Sequence, residues 1–337
     1  MEIIRRRAFA RAGLMGNPSD GYHGRTLSVT VPDFCADVVL YEWESLEIIL
    51  SQDDRSRFGS ISELSRDVEL HGYYGGVRLV KATIRRFYEY CQQQEIELHG
   101  RTFSIRYESN IPRAVGLAGS SAIIVGTLRA LMDFYGVVIP QELQPSLALS
   151  VETRELGIAA GLQDRVVQIY EGLVFMDFSP EKSREESGLE YGLYEQLDPS
   201  LLPPIYVAFS HKAGVPTEAT HGPLRARYDA GDVAVRNAMT RFAELTDESK
   251  QALLEGDHAR FSRLMDENFD LRNSICDLSP LHLRMIERAR AAGASAKFAG
   301  SGGAIIGTYP DDESLVRLRK QLTDIGCEVI RLAPTPV

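Results

Sequence analysis

Long apolar runs are missing from this chain. No stretch approaches the roughly 20 residues that a membrane-spanning helix needs, and no signal-peptide core follows the start. Cysteine is scarce as well. Cys35, Cys91, Cys276 and Cys327 are the four present, and they show no CxxC spacing or close pairing. That excludes a zinc ribbon and a disulfide framework and leaves the reduced thiols of a protein expected in the cytoplasm. Positive charge is short too, with 37 Lys and Arg against 47 Asp and Glu and a net charge of -10. Nucleic-acid partners are disfavoured by that balance, since such proteins concentrate positive charge. The cluster Arg5-Arg6-Arg7 runs straight into strand-like sequence and reads as a strand with basic outward residues. There is no GxxxxGK[ST] phosphate loop and no well-placed GxGxxG, so neither common nucleotide signature applies. Internal repeats and low-complexity segments are absent.

Against these absences, 337 residues with 44% hydrophobic content can bury a large core and suggest two domains. The most telling stretch is Ile111-Pro112-Arg113-Ala114-Val115-Gly116-Leu117-Ala118-Gly119-Ser120-Ser121-Ala122. Before it, Arg101–Tyr107 alternates apolar and polar residues as a half-buried strand does. After it, Ala122 to Tyr135 reads as an apolar helix stopped by Gly136. A loop rich in Gly and Ser therefore joins a strand to a helix start, where unpaired N–H groups and the dipole favour a phosphate. Gly116 and Gly119 allow close backbone approach, and the Ser120 and Ser121 hydroxyls can face an oxygen or a metal. The structural alternative is a tight turn with a serine cap.

Mixed strands and helices run along both halves, an α+β pattern. Leu27–Val31 and Cys35–Tyr41 are expected as two strands joined by a Pro32-Asp33 turn, and Gly75 to Gln92 as a helix. Leu147–Leu156 reads as helix, Leu173–Phe178 as strand, and the charged stretch from Ser179 to Ser187 as a linker or exposed excursion. In the second half, Ile205–Phe209 is strand, and helices are expected at about 230–246, 248–255 and 257–274. A helix from Pro280 to Ala292, capped by Asp277 or Ser279 and ended by Gly293, follows. Strand Ala304–Thr308, a helix around Asp312–Asp324 and strand Glu328–Leu332 complete the chain. Among carboxylates, Asp164 stands just after a small-residue loop in an otherwise apolar run, costly to bury without purpose or partner. Its structural alternatives are a pair with Arg165 or a helix cap. Glu152 can be a solvated helix residue, with Glu155 one turn away.

Two further glycine-containing stretches flank the chain: Ala8-Phe9-Ala10-Arg11-Ala12-Gly13-Leu14-Met15-Gly16-Asn17-Pro18-Ser19-Asp20, and Lys297-Phe298-Ala299-Gly300-Ser301-Gly302-Gly303-Ala304. With the 111–122 loop between them, the ordered set resembles the GHMP family of small-molecule kinases across nearly the whole chain. The resemblance implies a two-domain fold, an N-terminal domain like that of ribosomal protein S5 at 1–180 and a ferredoxin-like domain at 200–337. It implies ATP and Mg²⁺ as cofactors. Pro112, Gly116, Leu117, Ala118, Gly119, Ser120, Ser121 and Ala122 would hold the nucleotide, and Ser121 and Glu152 the metal. Asp164 would accept or orient the attacking hydroxyl's proton with Arg11 beside it, and Asn17, Ser19, Asp20, Tyr22 and Gly302 would meet the substrate.

The family's sugar kinases carry a Glu-His pair where this chain has Asn17-Pro18, and the run Gly16 to Thr26 resembles the family's sugar-acid branch. The implied activity is an ATP-dependent sugar-1-kinase acting on D-glucuronate. Another sugar or heptose kinase of the family, or a silent ligand sensor, is the alternative, and retention of Ser121, Glu152 and Asp164 together argues against silence. A uronate carboxylate needs a cationic receptor, and Arg7, His23, Arg25, Arg113 and Arg225 are the candidates. The patch Ser210-His211-Lys212-Ala213-Gly214-Val215-Pro216-Thr217 is a further substrate candidate, and Trp43 with the Gln52–Gly59 region a candidate for adenine. The expected partner is a small sugar or sugar acid, not nucleic acid or membrane. Oligomeric state stays open, a homodimer among the options.

Overall fold

The computed structural model of the chain describes residues 3–49, 75–210 and 217–333. The Gln52–Gly59 candidate and residues 211–216 of the other patch lie outside that range. The first strand, β1 (Ile3–Met15), pairs antiparallel with β2 (Arg25–Trp43) along nearly its whole length, with a 3-10 turn at Ser19–Tyr22 between them. The expected pair of strands joined by a turn is instead one strand with a bulge. Phe9 pairs with Cys35 and Ala10 with Val31, so Pro32, Asp33 and Phe34 have no partner on β1. A proline lacks the N–H that a ladder needs and is accommodated at such a bulge. Asn110 closes it: its Oδ1 accepts from Cys35 N at 2.7 Å and its Nδ2 donates to Asp33 O at 3.2 Å.

Next come β3 (Glu47–Ile49), α1 (Gly76–Gln93), β4 (Thr102–Ser109) and α2 (Gly119–Tyr135). Helix α3 (Gln144–Ser150) runs into a π-helical turn at Val151–Glu155, where one continuous helix was expected, and α4 (Gln163–Tyr170) and β5 (Leu173–Asp177) follow. The charged excursion forms a small hairpin, β6 (Arg184–Glu186) with β7 (Leu189–Tyr191), before β8 (Leu193–Leu197) returns to pair with β5. The first sheet thus has the order β3-β4-β2-β5-β8, with β1 also on β2, and its last strand ends at Leu197.

The second sheet starts with β9 (Ile205–Phe209). Helices α5 (Thr217–Asp229), α6 (Val233–Leu254), α7 (His258–Ile275) and α8 (Pro280–Ala291) precede the short β10 (Lys297–Phe298) and β11 (Ala304–Thr308). Helix α9 (Asp312–Thr323) and β12 (Glu328–Leu332) end it, in the sheet order β10-β11-β9-β12. That is the ferredoxin-like strand order with a helical insertion before β10. The two helices expected at 230–246 and 248–255 are a single helix, α6, because nothing between them breaks the ladder. Thr246 turns its hydroxyl to Phe242 O and Arg25 O. Caps fall where acidic or hydroxyl residues precede the helices: Asp232, Asp257, Ser279 and Asp311 all accept from first-turn N–H groups.

One apolar core runs through both sheets, joining Val29, Leu40, Ile105 and Leu131 to Val207, Phe209, Ile306 and Leu332. A second cluster around Tyr206, Phe269, Met285 and Phe298 fills the other face of the second sheet.

Candidate active site

Arg11, on β1, ties together the three glycine stretches that lie far apart in sequence. Its Nε donates to Asp164 Oδ1 at 2.7 Å, and Nη2 lies 2.6 Å from the same oxygen. Its Nη1 donates to Gly116 O at 2.7 Å and Ala299 O at 3.1 Å. A buried guanidinium with a planar fork suits this task, since each N–H has a fixed direction and a charge-assisted partner. The loops touch as backbones. A Cβ at Gly300 would collide with Gly116 O, and one at Gly116 would come within 2.9 Å of Gly302 O. Glycine at these positions is what permits the approach.

The loop before α2 is bent against its own preference. Ala114 and Ala118 take φ of 58° and 64° beside Gly116 at 77°, and alanine in the left-handed region is held there by its surroundings. The holding group at Ala118 is visible: its carbonyl accepts from Gln168 Nε2 at 2.8 Å and from Ser121 Oγ at 3.1 Å. The bend leads into a 17-residue helix that begins at Gly119 and Ser120, and a helix start is the kind of place that receives an anion. Pro112 and Ser120 flank this start at intermediate exposure, while Leu117 and Ala122 are buried and anchor it.

Asp164 opens α4 and is partly exposed, whereas Arg11 and Arg165 around it are buried. Arg165 approaches Asp164 Oδ2 at 3.5 Å, donates to Gly161 O at 2.7 Å and closes on the buried carboxylate of Glu152. Of the structural alternatives for Asp164, the pair with Arg165 is partly met and the cap is not, since Leu162 stands at the N-cap with no side-chain hydrogen bond there, and the carboxylate still reaches the surface. Glu152 and Ser121 do not share a contact in this arrangement. Ser121 is turned to its own helix start and Glu152 to Arg165, and Glu155 pairs with Arg85 at 3.3 Å. For Mg²⁺ the donor chemistry fits, hard oxygens from one hydroxyl and one carboxylate with phosphate and water to complete the shell. Ligation through Glu152 requires the Arg165 guanidinium to give way.

The first-motif residues divide. Asp20 points at the start of α4: its carboxylate lies against Gly161, where a Cβ would collide with it, and accepts from Gln163 N. Burial, then Asp164, push its carboxyl up to about 6, with Arg11 opposing. Tyr22 is buried against Tyr228, with ring centroids 4.6 Å apart. Asn17 and Ser19, also expected to meet the substrate, are buried and hydrogen-bonded within the fold. Asn17 Oδ1 accepts from Lys297 Nζ at 2.7 Å, and fully buried Ser19 donates to Arg25 O at 3.0 Å. These bonds give the buried oxygens the partners they need.

Beneath the third loop lies a set of polar residues that sequence reasoning missed. Lys297 Nζ donates to Gly13 O, Asn17 Oδ1 and Phe298 O at 2.7–2.8 Å. Burial, reinforced by Arg272 and Arg11, holds its amine well below the usual lysine range. Arg272 donates to Gly300 O at 2.9 Å and Ser301 O at 3.2 Å. Gly302, with φ of 145°, packs on His282, whose Nε2 accepts from Gly303 N at 3.2 Å. Asn268 Oδ1 takes Gly16 N at 2.8 Å. A signal existed for two of these: Asn268 and Arg272 sit on the face of α7 shared by Phe261, Leu264, Met265 and Ile275. Polar residues at i, i+4 on an apolar stripe need buried partners.

The chain matches the GHMP kinases N terminal domain over residues 78–172 and the GHMP kinases C terminal domain over 249–326. It is 42% identical over 326 residues to Glucuronokinase 1 of Arabidopsis thaliana, covering 94% of this chain and 88% of the relative. Lactococcus lactis galactokinase complexed with galactose shares the fold at a TM-score of 0.78, with 15% identity over 99% of this chain and 94% of that one. Streptococcus pneumoniae phosphomevalonate kinase, in complex with phosphomevalonate and AMPPNP, does so at 0.76, with 18% identity over 98% and 100%.

Proposed function

The chain belongs to the GHMP kinase family, and from that premise we propose that it is an ATP- and Mg²⁺-dependent sugar-1-kinase whose acceptor is D-glucuronate. The observation that carries the reading is Arg11, which joins Asp164 to the carbonyls of two glycine loops. Phosphoryl transfer needs placed phosphates, an oriented hydroxyl and compensated charge rather than covalent chemistry by the protein. The Gly119–Ser121 N–H groups receive phosphate oxygens at the helix start. On this reading Asp164 accepts the proton of the sugar's C1 hydroxyl, and Arg11 fixes its orientation. Ser121 and Glu152 would hold Mg²⁺ once Arg165 gives way, and the metal would supply charge neutralisation on the phosphates. The similarity to Arabidopsis Glucuronokinase 1 supports the uronate. So does the neutral Asn17-Pro18, which places no acidic side chain at that point of the first motif.

The test is ADP release with ATP and Mg²⁺ over glucuronate, galacturonate, glucose and galactose. Glucuronate is expected to give the highest kcat/KM, and a neutral hexose turned over as well or better overturns the uronate. Asp164→Asn should lower kcat on the order of 10²–10⁴-fold while nucleotide binding persists. A variant within about twofold of the parent removes Asp164 from proton transfer.

A further inference from the structure

We infer that Arg225, on α5, is the residue that grips the acceptor's carboxylate and so sets the preference for a uronate over a neutral hexose. The inference rests on the reading above and names the group that recognises the anion.

Among the described residues, the cations near the site are mostly committed. Arg7 shares Asp37 with Arg5 on the β1–β2 ladder. Arg25 is held by Asp177 at 3.1 Å and Asp247 at 2.8 Å. Arg11 serves Asp164, while Lys297 and Arg272 spend their donors on buried carbonyls and Asn17. Arg113 belongs to the loop that receives the phosphates. His23 stands in the left-handed conformation at the end of the Ser19–Tyr22 turn and has no fork to match a carboxylate.

Arg225 differs in place and in commitment. Its Nη1 donates to Gly21 O at 2.9 Å, and its Cζ stands 5.4 Å from the centroid of the Tyr22 ring. The guanidinium is thereby fixed over the substrate segment of the first motif from the other half of the chain. Its remaining described partner is Asp229, at 3.1 Å in an exposed i, i+4 pair, which contributes little and exchanges readily for a ligand carboxylate. Two of its five donors are used by described residues. Gly21, whose carbonyl Arg225 holds, is exposed, and a Cβ there would meet no described atom within 4 Å.

The neighbouring groups are linked by contacts. Asp164 holds Arg11, and the Asp20 carboxylate lies against Gly161, three residues before Asp164. Arg225 stands over the ring of Tyr22, two residues after Asp20. The first motif thus carries a carboxylate beside Asp164 and a guanidinium fork two residues further on. A hexuronate carries its C1 hydroxyl and its C6 carboxylate at opposite ends of the ring. A bidentate Arg–carboxylate contact selects for that geometry as well as for charge.

The experiment compares kcat/KM for glucuronate and glucose in the parent, Arg225→Ala and Arg225→Lys, with thermal melts to verify folding. The glucuronate-to-glucose ratio should fall on the order of 10- to 100-fold in Arg225→Ala, mainly through KM for glucuronate. Arg225→Lys, which keeps the charge without the fork, should fall between the two. A parent that does not use glucuronate removes the underlying reading and this inference with it. A parent that prefers glucuronate, with an Arg225→Ala ratio within about twofold of its own, overturns the inference alone.

Discussion

Burial, and after it the neighbouring Asp164, penalise the charged form of Asp20, and Arg11 offsets only part of that. The Asp20 carboxyl would release a proton near 3.8 in a solvated chain but is held at about 6 by burial and by Asp164. Between those values the native state carries the extra proton, so this group lowers stability as pH rises from 3.8 towards 6, and its full penalty is present above 6. Asp20→Asn keeps an oxygen for the Gln163 N–H and removes the charge. The Tm of the variant relative to the parent should therefore climb between about pH 4 and about pH 7. Thermal melts at the two pH values decide the matter, and a difference that does not change with pH overturns it. The opposed fates of Asp20 and Ser19, one facing α4 and the other wholly internal, were not legible in sequence. Both are short polar residues beside Pro18, and only the closure of the 3-10 turn separates them.

At the level of elements, the third loop depends on α8 lying under it. His282 gives Gly303 N–H its acceptor while its ring packs 5.0 Å from Phe298. His282→Phe keeps an aromatic ring and leaves a buried N–H without a partner, which costs about 1–3 kcal/mol. Urea denaturation should show that loss, and an unchanged midpoint would remove His282 from the support of the loop. The cap residues, the glycine that stops α2 and the strand before the phosphate loop were all readable from pattern, because local chemistry dictates them. The bulge at Pro32 was misread as a turn because a proline followed by an aspartate signals both. The Glu152–Arg165 pair and the Arg11 contacts were beyond reach for another reason. They join residues on separate elements, and one chain's periodicity carries no information about which elements meet.

On the scale of the whole molecule, two sheets share one apolar core. Val207 and Ile306 of the second sheet belong to the same cluster as Val29 and Ile105 of the first, so neither half can expose its face without exposing the other's. Cooperative unfolding as one unit follows. Calorimetry should give a single transition whose van't Hoff and calorimetric enthalpies agree, and two resolved transitions would show that the halves are independent. The halves are also stitched through polar contacts across the sequence, Lys297 reaching Gly13 over 284 positions. On the ribosome, β1 emerges among the first segments made, yet its carbonyls and Arg11 obtain their last partners only when residues 297–304 have left the exit tunnel. A nascent chain therefore lacks the third-loop contacts of Arg11 and Gly13 for most of its synthesis, and on the function proposed above a product ending before Lys297 should fail to bind nucleotide.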